Sequence, residues 1–112
     1  MTEIERTRCK ARAAFFKALS HPVRLLILVK AAERPRCITE LAGITEKKEA
    51  TVSKHVAILK EAGCLVGERK GPQVFCHVEN LELVRVWKIT DRCIHHKLRR
   101  SRRRPARASL GH

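Results

Sequence analysis

The hydrophobic period of the chain changes at Gly63. Upstream, in TVSKHVAILKEAG, residues 51–63, Val52, Val56, Ile58, Leu59 and Ala62 recur at spacings that gather them on one arc of an α-helix, because each helical residue turns about 100°. Downstream, Leu65 to Lys70 and Gln73 to Val78 read as two short strands around Gly71 and Pro72, a pair that breaks both helix and ladder. A glycine closes a helix readily because it adopts the left-handed conformation without strain. A helix that stops on a glycine and runs at once into a hairpin restricts the chain to a few small architectures.

The far side of that helix carries Ala50, Ser53, Lys54, Ala57, Lys60 and Glu61, with the small residues near its middle. Small, hydroxyl and cationic groups on one face can approach base edges closely. Ser53 and Lys54 are therefore the candidates for groove contacts, and Lys48 near the helix start is positioned for a phosphate. Arg69, Lys70 and Gln73 on the hairpin would follow the backbone or reach into a minor groove. His55 lies beside Ile58 and Leu59 and is expected to be a partly buried structural residue rather than a base reader. Thr51 is expected on the buried edge, serving the helix start. An ordinary amphipathic surface helix would have the same period; the segments on either side of it separate the two readings. With Cys37 to Ala42 (CITELA) as a short preceding helix and the polar stretch from Thr45 to Glu49 as the turn, the order is helix, turn, helix, basic hairpin. That is a winged helix-turn-helix, mainly α with a small β-hairpin.

A chain of 112 residues supports one domain whose core is marginal without an oligomeric partner. Two further amphipathic segments flank the central unit. Ile4 to Leu19 carries Cys9, Phe16 and Leu19 on one stripe, and Leu81 to about Arg100 carries Leu83, Val86, Trp87, Ile94 and Leu98. Between the first of these and the helical segment Val23 to Ala32, Ser20, His21 and Pro22 act as punctuation; proline suits a first helical position because its missing N–H would have no intrahelical partner. Apolar stripes at both ends of so small a chain point to a self-complementary interface. The formal net charge is +14. From Lys97 onward, Lys97, Arg99, Arg100, Arg102, Arg103, Arg104 and Arg107 supply 7 of it, with no acidic residue. The expected division is a domain over 1–100 and a basic, disordered tail over 101–112, either a phosphate-binding arm or a solubilising segment.

Residues Phe15 to Val78 resemble the ArsR/SmtB family of bacterial metal-sensing transcriptional repressors. The matching segments are FFKALSHPVRLLILV at Phe15 to Val29, CITELA at Cys37 to Ala42, TVSKHVAILKEAG at Thr51 to Gly63, and the hairpin LVGERKGPQVFCHV. Two departures stand out: Glu46 and Lys47 occupy positions where the family places glycine and a hydrophobic residue, and Cys64 replaces the leucine after Ala-Gly. The resemblance implies a homodimer formed through the first and last helices, bound to double-stranded operator DNA.

It also implies an effector. The family's Cys-x-Cys-x-x-Cys motif, which binds trivalent arsenic or soft divalent metals, is retained only at Cys37, the later positions being Thr39 and Ala42. Soft ions take about three or four donors, so other cysteines would be needed, and Cys9 could supply one from the other subunit. At the family's zinc site on the last helix, Asp91 and Cys93 have the first spacing, but the second pair offers no ligands; Asp91 with His95 and Cys93 with His96 have compatible helical spacings. The expected switch is a thiol-reactive effector, As(III) or another soft metal ion, acting on Cys37 and Cys93 with Cys9 and Cys76 as partners. Redox or polysulfide chemistry at Cys76 and Cys93 is the alternative, with nearby positive charge lowering the thiolate pKa. Cys64 is expected to pack inside. No permanent cofactor is implied.

Catalytic signatures are missing from the sequence: no Gly-rich phosphate loop, His-Glu-x-x-His or Gly-x-Ser-x-Gly. The reading is not an enzyme. Leu25 to Val29, the longest apolar run, is far shorter than the roughly twenty residues that span a bilayer, and no secretory leader pattern is visible. A cytoplasmic protein with cysteines resting as thiols is expected. The competing reading is a non-specific structural nucleic-acid-binding protein, which would lack preference for one operator.

Overall fold

The computed structural model describes residues 1–103, with side chains through Ser101. Among these residues, five helices and three short strands come in the order α1 (Glu3–Leu19), α2 (Pro22–Glu33), β1 (Arg36–Cys37), α3 (Ile38–Thr45), α4 (Glu49–Glu61), β2 (Val66–Lys70), β3 (Gln73–His77) and α5 (Leu81–Arg103). Contacts divide the chain after Asn80. Residues 1–80 form one unit, and the second, from Leu81 onward, consists of α5 among the described residues. The helix continues to Arg103, past the boundary expected at residue 101; the remainder of the expected tail, 104–112, lies outside the described residues.

Local signals account for most of the boundaries. Thr2 caps α1 through a capping box in which the Glu5 N–H donates to Thr2 Oγ1 at 3.1 Å. Pro22 opens α2, and the ring of His21 caps it, Nδ1 accepting from the Val23 N–H at 3.1 Å. Gly63 ends the α4 segment with φ +80° and Gly71 makes the hairpin turn with φ +64°.

The sheet is three-stranded and antiparallel in the order β1-β3-β2, so the expected hairpin gains a strand that the sequence reading lacks. β1 pairs Arg36 with Cys76 and Cys37 with Phe75. Two residues have no period to detect, and their extended state is imposed by the edge of β3. The core of the first unit is built from Ile27, Leu28 and Ala31 of α2, Leu41 of α3, Val52, Val56 and Leu59 of α4, and Cys64, Leu65 and Cys76 around the hairpin. Arg36 is buried with them. Its guanidinium reaches Glu33 at 2.7 Å, Glu40 at 2.8 Å and the Lys30 carbonyl at 2.9 Å, so the charge is both paired and hydrogen-bonded. That cluster locks β1 to α2 and α3.

Candidate nucleic-acid interface

The helix α4 packs on α2 and α3 and turns its other side to solvent. Val52 and Leu59 are 0% exposed and Val56 3%. Ala50, Ser53, Lys54, Ala57, Lys60 and Glu61 are all exposed, as the helical period requires. Two assignments change. Ile58, expected in the buried arc, is 39% exposed, and Thr51, expected on the buried edge, is exposed. The two are seven residues apart and share one flank of α4, about 100° or more from the centre of the buried face. That flank is only partly covered within this unit, so periodicity alone made the apolar arc too wide.

The start of α4 is set by the turn before it. Glu46 adopts the left-handed conformation, φ 57° and ψ 39°, at the C-cap of α3, and the Lys47 N–H donates to the Ala42 carbonyl at 3.2 Å. Glutamate thus occupies the position that favours glycine. Lys48 is the N-cap of α4; its carbonyl accepts from the Val52 N–H at 3.0 Å while its side chain makes no cap bond and is exposed. Thr39 Oγ1 donates to Glu49 at 3.2 Å, tying α3 to the first turn of α4.

His55 is partly buried, as expected, and its partners explain why. Arg24 Nε donates to His55 Nδ1 at 3.3 Å, while Arg24 Nη1 donates to the Ala18 carbonyl at 2.9 Å. The His21 ring lies 4.4 Å from that of His55. One arginine therefore satisfies an orphan carbonyl at the end of α1 and holds α4 at the same time. Desolvation lowers the pKa of His55, with the charges of His21, Arg24 and Lys47 adding to it. Arg24 carried no assigned role in the sequence; the available signal was a guanidinium inside the apolar run VRLLILV.

The wing presents Arg69, Lys70 and Gln73, all exposed. Register pairs Lys70 with Gln73 and Arg69 with Val74, so Lys70 and Gln73 share one face and Arg69 stands on the other. Lys70 also extends over the Phe75 ring, with Nζ 6.0 Å from its centroid. The sequence reading missed a contact at the root of the wing. A Cβ on Gly67 would lie 2.6 Å from Lys60 Nζ, so the missing side chain lets the ammonium of α4 rest on β2.

The cysteines separate by exposure. Cys9 and Cys93 are exposed, Cys37 is half-buried at the start of α3, and Cys64 and Cys76 are buried. Burial raises the Cys76 thiol pKa and outweighs the lowering effect of Lys60, the reverse of the depressed value expected for a reactive thiol. Burial raises Cys64 as well, in keeping with a packing role. Asp91 and His95 meet on α5 at 3.6 Å. Among the described residues of one chain, no group of three or more His, Cys, Asp or Glu side chains is arranged to hold a metal ion.

Comparison with known proteins agrees with this architecture. The HTH-type transcriptional repressor SmtB of Mycobacterium tuberculosis is 34% identical over 76 residues, 68% of this chain. The chain spans about half of that relative's length, 56%. The HTH-type transcriptional regulator YgaV of Escherichia coli is 32% identical over 83 residues, covering 71% of this chain and 84% of the relative. The solution structure of a homodimeric winged helix-turn-helix DNA-binding domain from Mycobacterium bovis superimposes with a TM-score of 0.76 at 21% identity, over 85% of this chain and 88% of that one. The sequence model of the family described as bacterial regulatory protein, arsR family, matches residues 21–65, from the cap of α2 through α4 to the hairpin. With the α4 geometry and these matches, the chain belongs to the arsR family of bacterial regulatory proteins.

Proposed function

We propose that the protein is a transcriptional repressor that binds operator DNA as a homodimer. The observation that carries this reading is the division of α4 into a face buried to 0–3% at Val52, Val56 and Leu59 and an opposite exposed face of small and cationic residues. On this reading Ser53 and Lys54 contact base edges, Lys48 binds a phosphate, and Arg69, Lys70 and Gln73 follow the backbone from the two faces of the wing. The test begins with selection of an operator from a random duplex library. The Ser53→Ala/Lys54→Ala variant should bind that operator at least about tenfold more weakly, given about 1–3 kcal/mol per good base contact, with unchanged thermal stability. Full operator affinity in that variant would discard the assigned reading face.

The effector on this reading is thiol-reactive. Exposure of Cys9 and Cys93 and partial exposure of Cys37 support these three as the responsive groups, whereas burial disfavours Cys76. One chain's described residues do not fit a soft-metal site, so As(III) or a related ion would require thiolates from both protomers. Any effector must bind the DNA-incompetent dimer better than the competent one. Serine substitution at Cys9, Cys37 and Cys93 together should abolish release from operator by As(III) and by polysulfide. A normal response in that triple variant would exclude thiol sensing through these positions.

A further inference from the structure

The charge on α5 is arranged as well as abundant. Arg85, Lys88, Arg92 and Arg99 are exposed and recur at helical spacings, which puts them within about 60° of one another around the axis. The line they form runs for about 21 Å at 1.5 Å per residue. About 130° away around the axis lie Trp87, Ile94 and Leu98, exposed in the single chain at 42%, 57% and 50%. Lys97 and Arg100 fall off the basic line. The acidic residues of α5 are Glu82 and Asp91; Glu82 meets Arg85 at 3.2 Å near the first turn, and Asp91 lies to one side against His95. Three of the four cations therefore continue the line without an acidic residue between them.

We propose that this stripe of α5 is a second duplex-DNA surface, which binds the phosphate backbone independently of the sequence read by α4. It goes beyond the operator-binding reading, because it assigns affinity to residues outside the helix-turn-helix and wing. A row of guanidinium and ammonium groups matches the regular phosphates of a duplex, where two strands together carry one negative charge per about 1.7 Å of axis. The position of the stripe argues against an anionic bilayer as the occupant. A helix lying on a bilayer turns its apolar face inward, and residues about 130° from that face around the axis then point more away from the headgroups than toward them. Covering the apolar face leaves the basic line outward, free to meet DNA.

The experiment uses the full chain and a random-sequence duplex, with binding followed by fluorescence anisotropy between about 50 and 200 mM salt. Neutralising the stripe in Arg85→Gln/Lys88→Gln/Arg92→Gln/Arg99→Gln should reduce the slope of log affinity against log salt by about 0.9 per lost phosphate contact, up to about 3.6. The control Arg6→Gln/Arg8→Gln/Lys10→Gln/Arg12→Gln removes the same charge from scattered, exposed positions on α1, and should change the slope by less than half as much. Arg85→Lys/Arg92→Lys/Arg99→Lys, which keeps the charge, should retain the wild-type slope. An unchanged slope in the neutralised variant, an equal fall in the α1 control, or a fall in the lysine variant would overturn the proposal. So would loss of binding to phosphatidylserine vesicles with DNA binding unaltered. Since a random duplex contains no operator, failure here leaves the test of Ser53 and Lys54 intact.

Discussion

Glu46 holds a left-handed backbone conformation, φ 57° and ψ 39°, that an L side chain adopts at a cost of roughly 1–2 kcal/mol. Glu46→Gly should remove part of that strain and raise stability by about 1 kcal/mol in urea unfolding; a loss of stability would mean that the Glu46 side chain contributes an interaction of its own. At His55 the acceptor at Nδ1 is lost on protonation, and with it the bond from Arg24. The folded pKa of His55 lies below its ordinary value of 6.5, so the unfolded chain takes up the proton first. Its contribution is complete above pH 6.5 and is lost as pH falls through the window below that value. Glu40, held below its ordinary 4.5 mainly by its bond to Arg36, adds a second loss as pH falls beneath that value. Thermal melts across this range should show both losses, and His55→Ala should abolish the upper one; a wild-type profile in that variant would place the titration elsewhere.

Along α4, neighbouring apolar residues have opposite fates. Leu59 is 0% exposed and Ile58 39%. Leu59→Ala should cost about 2–5 kcal/mol, the range for a fully buried leucine, and Ile58→Ala less than about 1 kcal/mol in the isolated protomer. Similar losses at both sites would show that the exposed flank of α4 is covered in solution. The short helix α3 and the turn after it orient α4, and the Thr39–Glu49 bond and the Arg24–His55 bond hold its beginning and middle. Lys60 completes the arrangement by lying across Gly67, so the wing is braced against α4 as well as paired through β3. On the operator-binding reading proposed above, such bracing gives α4 precision, because contacts to base edges tolerate little misplacement.

The described chain leaves large apolar side chains uncovered at both ends: Ile4 and Phe16 on α1, and Trp87, Ile89, Ile94 and Leu98 on α5. Exposed large apolar side chains, when contiguous, commonly serve interaction. On the homodimer reading, Ile94→Glu/Leu98→Glu should shift sedimentation equilibrium toward the monomer while circular dichroism retains the helix content. Weaker operator binding should accompany the shift, because two half-sites are then no longer engaged together. A dimer of unchanged affinity in that variant would exclude this part of α5 from the interface. Among the described residues no helix is long and apolar enough to cross a membrane.

The α4–hairpin unit was legible in the sequence because its signals are local: a helical period, Gly63 at positive φ, and a turn at Gly71 and Pro72 between two short strand-like segments. The same locality made the exposed positions Ala50, Ser53, Lys54, Ala57, Lys60 and Glu61 of α4 readable, though not Thr51 and Ile58, and it identified His55 as partly buried. Other features depend on partners distant in the chain. β1 is extended only because β3 offers an edge, and Arg36 is buried only because Glu33, Glu40 and the Lys30 carbonyl converge on it. The bond from Arg24 to His55 joins residues 31 apart. Ile58 marks the limit: it has an apolar position by period, yet it is 39% exposed. Period assigns a side chain to a face, whereas tertiary packing determines which faces are covered and what becomes of the charges and thiols beneath them.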